Sequence, residues 1–159
     1  MAEPQDGPKG GDDERASRVV PVSEGPFAGW MTWRSDEGFG GRNGPFYFRL
    51  DPDGGVRCAF QVEAKHLNPG KAVHGGCLMT FADICLFAIS MPRRGGDLAV
   101  TVSMNSEFVG PAFEGEIVEA TGQVLRAGGS LVFVSAVAKV GDRPVLNFSG
   151  VMKRVKARG

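Results

Sequence analysis

Cysteine is scarce in this chain. Cys58, Cys77 and Cys85 make an odd set without metal-type spacing, which excludes a disulfide framework and a cysteine zinc cluster and leaves core thiols of a reducing compartment. An excess of either charge is also missing, since 18 basic residues face 18 acidic ones over 159 positions. A nucleic-acid surface is therefore not expected, and the basic run Lys153 to Arg158 is too short to make one. The first eighteen residues hold no apolar segment of the secretory kind, so a cytoplasmic protein is expected. Glycine-rich phosphate loops, zinc patterns and internal repeats are absent, and no metal or resident cofactor is expected. Nor is there a Gly-x-Ser-x-Gly nucleophile elbow, which removes the commonest serine hydrolases and leaves an acid as the candidate reactive group.

What is present centres on residues 68 to 92. A loop, Asn68-Pro-Gly-Lys-Ala-Val-His74, leads into an almost wholly apolar stretch from Gly76 to Met91. A helix apolar on every side belongs inside a fold. At about 16 residues it extends only about 24 Å and carries an acid, so a core helix is expected rather than a membrane span, with Pro92 ending it. Asp83 is the anomaly, because a buried carboxylate needs a partner, a set of hydrogen bonds or a raised pKa. It either caps a neighbouring segment or belongs to a site. Gly75 and Gly76 lie at the helix start, where unpaired N–H groups and the helix dipole favour a carbonyl or oxyanion and no Cβ blocks its approach.

Spacing adds a geometric condition. Nine residues separate His74 from Asp83, which is about 900° of helical rotation and a rise of about 13 Å. The two cannot share a site within one chain. Either they are unrelated, or an antiparallel second copy of the helix brings one chain's Asp83 to the other's His74 and Gly75, giving a homodimer with two composite sites.

The chain otherwise divides into a polar leader (1–22), a glycine- and aromatic-rich segment (23–45), a main domain (46–155) and a tail (156–159). Phe27, Trp30, Met31, Trp33 and Phe39 in the second segment are expected in a short helix and loop laid on the core, where they either pack or wall an apolar pocket. Phe46 to Leu50 and Val56 to Val62 flank the turn cluster Asp51-Pro-Asp-Gly-Gly55 and read as a hairpin. After the helix, Arg93 to Asp97 is expected as an exposed connection whose arginines are either solvated or meet phosphates. A strand from Leu98 to Val109 alternates Leu98, Val100, Val102 and Met104 against Ala99, Thr101, Ser103 and Asn105. Strands follow over 116–125, 131–140 and 145–155, with turns at Arg126 to Ser130 and Gly141 to Pro144. Val132, Val134, Ala136, Ala138 and Val140 form one apolar face, and the helix bearing Asp83 is the one long element able to cover it. The expected class is α+β, an antiparallel sheet around one hydrophobic helix.

His66-x-Asn68, then His74-Gly75-Gly76, then Asp83 resembles the signature of hotdog-fold acyl-CoA thioesterases, in particular the phenylacetate-pathway and Them2-like branch of the 4-hydroxybenzoyl-CoA thioesterase superfamily. The likeness covers roughly residues 45 to 155. One departure is that the family often has glycine three residues before the histidine, where this chain has Lys71. The resemblance implies a homodimer, further paired into a homotetramer, that hydrolyses an aryl- or medium-chain acyl-CoA, with coenzyme A entering only as part of the substrate. It implies Asp83 as general base or nucleophile and Gly75 as oxyanion donor. Asn68 would orient the carbonyl or the water, Thr101 would hold that water, and His74 would assist at the carbonyl or brace the loop. Gly76, Arg126, Gly128, Arg93 and Arg94 would contact the substrate, with the pantetheine arm passing Arg126 to Gly129. Two alternatives share the scaffold, a non-catalytic acyl-CoA sensor and a hydratase.

Overall fold

The computed structural model describes residues 19–34, 38–95 and 97–155. Its largest element is helix α2, Gly75–Arg94, preceded by a short helix α1, Gly38–Asn43, and a 3-10 turn, Ala64–His66. Eight strands accompany them: β1 Val19–Pro21, β2 Met31–Trp33, β3 Tyr47–Leu50, β4 Val56–Gln61, β5 Leu98–Phe108, β6 Ile117–Gly128, β7 Leu131–Val140 and β8 Arg143–Val155. They form one antiparallel sheet in the order β1-β2-β3-β4-β6-β7-β8-β5, which leaves β1 and β5 at the edges.

The sheet curls around α2. Leu78, Phe81, Ala82, Cys85, Leu86 and Ile89 of the helix are buried against Phe60, Val118, Val132, Val134, Phe148 and Met152 of the strands. Burying such side chains contributes about 1.5–3 kcal/mol each, so this contact is the main source of the fold's stability. Length and composition alone would let α2 cross a membrane, yet half of its apolar window is buried inside the protein. Gly150 on β8 marks how closely the layers approach, since a Cβ there would run into Leu86 Cδ1.

Several boundaries differ from the sequence expectation. Pro92 lies inside α2, which ends three residues later at Gly95 with φ 63°, a left-handed C-cap. A proline removes one N–H and leaves one carbonyl without its helical partner, and so close to the end that loss is confined to the last turn. Arg93 and Arg94 are consequently helical rather than part of a loop. Val19–Pro21, read as leader, pairs with Met31–Trp33, and the segment read as a helix and loop thus supplies a strand as well as α1. Residues 1–18 and the tail 156–159 lie outside the described residues. The strand β6 runs through Arg126 to Gly128, and β8 begins at Arg143, so both hairpin turns are tighter than expected. The β3–β4 hairpin and its turn are as read, with Gly54 at φ 84°.

The two faces of β5 are told apart by burial. Val100 and Val102 are 47% and 59% exposed, while Ala99 and Thr101 face the helix. A bulge between Thr101 and Ser103 then shifts the register, so that Met104 and Ser106 also face inward.

Candidate active site

The loop ahead of α2 is fastened at both ends. His66 is buried, its Nδ1 accepting the Glu63 N–H at 2.9 Å and its Nε2 donating to the Asn43 carbonyl at 2.8 Å. It is therefore the neutral Nε2–H tautomer, and burial lowers its pKa. The His66 carbonyl accepts the His74 N–H at 2.7 Å. Between them Asn68 closes a turn: its carbonyl accepts from Lys71 N–H at 2.9 Å and its side-chain oxygen from Ala72 N–H at 3.3 Å. With Oδ1 so used, the amide group is left to donate. Lys71 has φ 66°, the left-handed conformation that glycine adopts most readily.

His74 is the N-cap of α2. Its Nδ1 accepts the Gly76 N–H at 2.9 Å, so that donor is not free, contrary to expectation. Gly75 keeps its N–H without a partner among the described residues. The ring of Phe108, which the sequence did not single out, lies over it, with Cε1 only 3.3 Å from where a Gly75 side chain would begin. A substituent at this position would crowd the aromatic, and glycine leaves the donor approachable.

Asp83 lies two turns further along α2. It is half-buried rather than fully enclosed, and Thr101 Oγ1 donates to its Oδ1 at 2.6 Å. The bulge in β5 lies one residue beyond this contact. Beside the pair opens a cavity of about 510 Å³. Asp83, Ile84, Phe87, Met91 and Arg94 of α2 line one side, and Trp33, Phe46 and Ala99 lie opposite. Of the aromatics expected to wall a pocket, Trp33 does so. Phe27 and Trp30 pack instead in a separate cluster with Ala59, and Phe39 is 71% exposed.

Asp83 and Gly75 are eight residues apart on one helix, a rise of about 12 Å, so one chain does not bring them together. Arg126 and Gly128 are exposed at the far end of β6, separated from β5 by β7 and β8. They do not meet Asp83 either. Arg93 is exposed at the end of α2. Arg94 is half-buried and bends back along the helix, with its Nη2 donating to the Phe87 carbonyl at 3.0 Å and its Nη1 to the Asp97 carbonyl at 3.0 Å. The cysteines are buried and free; burial raises the Cys77 pKa to about 11, and burial with the Cys58 contact raises that of Cys85. Neither is a nucleophile at neutral pH. Among the described residues no cluster of side chains could hold a metal.

One helix wrapped in an antiparallel sheet, with a carboxylate at its midpoint and a glycine donor at its start, defines the hotdog class. The profile of the thioesterase superfamily matches residues 70–146. The Pseudomonas aeruginosa protein named "Putative esterase PA0474" is 36% identical over 109 residues, covering 68% of this chain and 81% of that one. Human acyl-coenzyme A thioesterase 13 is 37% identical over 83 residues, 52% of this chain and 59% of that protein's length. Among solved structures, the Escherichia coli PaaI protein from the phenylacetic acid degradation operon superposes with a TM-score of 0.57 at 26% identity, over 65% of this chain and 74% of that one. The chain belongs to the thioesterase superfamily and is a thioester hydrolase with the hotdog fold.

Proposed function

We propose that the chain hydrolyses acyl-CoA thioesters, aryl or medium-chain, at sites shared between two copies. The observation that carries this is the Thr101–Asp83 hydrogen bond at the edge of an apolar cavity of about 510 Å³. The likeness to acyl-coenzyme A thioesterase 13 supports the carrier. In this reading the acyl group occupies the cavity, and its carbonyl oxygen accepts the N–H of Gly75 from a second copy. Asp83 takes a proton from water as the water oxygen attacks the carbonyl carbon. The Gly75 donor, aided by the Asn68 amide, stabilises the oxyanion, and one such donor is worth about 3 kcal/mol where tested. Collapse breaks the C–S bond, and the thiolate of coenzyme A receives the proton held by Asp83. Thr101 holds the carboxylate in position, and His74 braces the loop by capping the helix. Exposed Arg93 suits a CoA phosphate.

The free edge of β5, with Val100 and Val102 exposed beside the Asp83 half of the helix, supports pairing of two copies there. Thiol release from aryl- and straight-chain acyl-CoAs, by wild type and by Asp83→Asn, tests the reading. A folded variant slower by about 100-fold or more is expected, as for loss of a positioned base. An Asp83→Asn protein of undiminished rate would sink the role given to Asp83. Acyl-CoA binding without release from wild type would make the protein a non-catalytic binder.

A further inference from the structure

The cavity beside Asp83 is apolar along its length and cationic at its far end. Ile84, Phe87 and Met91 continue the helix face on which Asp83 lies, and Arg94 closes it. Because Arg94 bends back, its guanidinium carbon comes within 5.9 Å of the Phe87 ring centroid, about one helical turn beyond the carboxylate. Two of its N–H groups go to backbone carbonyls, and a guanidinium has five. Its Nε is enclosed without an acceptor among the described residues, as is Nε of Arg154, whose Nη2 donates to the Arg93 carbonyl. The two guanidinium charges act on each other, the Asp97 carboxylate offsets part of that repulsion at Arg94, and the ion pairs among the described residues include neither guanidinium. Positive charge with spare donors at the end of an apolar cleft is out of place beside a plain hydrocarbon tail.

We infer that Arg94 reads the distal end of the acyl group and that the preferred substrates are medium-chain acyl-CoAs whose acyl group ends in a carboxylate. This rests on the acyl-CoA thioesterase reading and names its substrate class. The acyl carbonyl lies at Asp83, the methylene chain runs over Phe87, and the terminal carboxylate accepts from the free N–H groups of Arg94, with Arg154 behind adding to the potential. A bulky, strongly hydrated phosphate suits this half-buried, apolar-walled position less than it suits exposed Arg93.

The test compares kcat/KM for adipyl-CoA with hexanoyl-CoA, and for suberyl-CoA with octanoyl-CoA, by thiol release. Wild type is expected to prefer at least one carboxylate-ended partner by about tenfold, the effect of one charge-assisted hydrogen bond. Arg94→Met should lower that ratio by about tenfold, and Arg94→Lys should restore part of it. The preference should persist in the corresponding acyl-pantetheines, which lack the nucleotide phosphates. An equal fall for both members of each pair in Arg94→Met would show contact with the shared CoA portion and overturn the inference. Hydrolysis of hexanoyl- and octanoyl-CoA by wild type with no preference for their carboxylate-ended partners overturns the inference alone, whereas no hydrolysis of any acyl-CoA removes the thioesterase reading with it.

Discussion

Replacing Thr101 by valine removes one hydroxyl while keeping the shape of the side chain. That hydroxyl donates to Asp83 Oδ1 at 2.6 Å, a short bond of the charge-assisted kind. Such bonds contribute about 1.5–3 kcal/mol when enclosed. Both residues are only half-buried, so water replaces part of the lost interaction and the lower end of the range applies. About 1.4 kcal/mol corresponds to a tenfold loss of kcat/KM for thioester hydrolysis. Thr101→Ser keeps the donor and should retain most of the rate. The decisive measurement is the double-mutant cycle with Asp83→Asn, followed by thiol release at one pH. If Thr101 acts by holding the carboxylate, Thr101→Val should have little further effect once Asp83 is asparagine. A Thr101→Val enzyme as fast as wild type, or losses that simply multiply in the double variant, would refute the reasoning.

Two further outcomes are expected. Gly150→Ala places a methyl group against Leu86, which is fully buried and cannot move aside, so unfolding should show a loss of about 1–3 kcal/mol in denaturant titration. His66 is held neutral, with its Nδ1 as an acceptor and its pKa lowered, first by burial. The unfolded chain then binds the proton more readily than the fold does. The stability this contributes is complete above the ordinary histidine pKa of about 6.5 and declines as pH falls below it. Tm measured against pH should decline on that acid side, and His66→Gln should flatten this part of the curve.

The elements legible in the sequence are those whose pattern is long and unbroken. The apolar stretch of α2, the alternation of β7 and the Asp51 to Gly55 turn each identify an element from neighbouring residues alone. The strands β1 and β2 are three residues each and are held by their partners across the sheet, so no local period reports them. Pro92 misled because proline ends helices by removing interior hydrogen bonds, and in the last turn little remains to remove. That one boundary put Arg94, already a candidate substrate contact, on a loop, and it becomes part of the cavity wall only when the helix continues far enough to present it. Asp83 stood out because an acid in an apolar run is chemically conspicuous. Its contact with Thr101 required knowing which face of β5 turns inward, and exposed valines beside a half-buried threonine reverse the usual reading of alternation.

The bulge in β5 has a bearing on how this strand tolerates change. Thr101 and Met104 are an odd number of positions apart, yet both look inward, because one residue between them is spent on a change of step. The strand thus holds two separately phased halves, one serving the carboxylate and one serving the core through Met104 and Ser106. Substitutions leave that arrangement standing. Removal of Val102 would leave it standing too, for Thr101 and Met104 would then be two positions apart and regular alternation would turn both inward. What would be lost is the local bend and added twist that the extra residue gives the strand beside the carboxylate. The extra residue therefore shapes how the strand bends past the site, whereas the face on which the threonine lies is set by the ladder with β8.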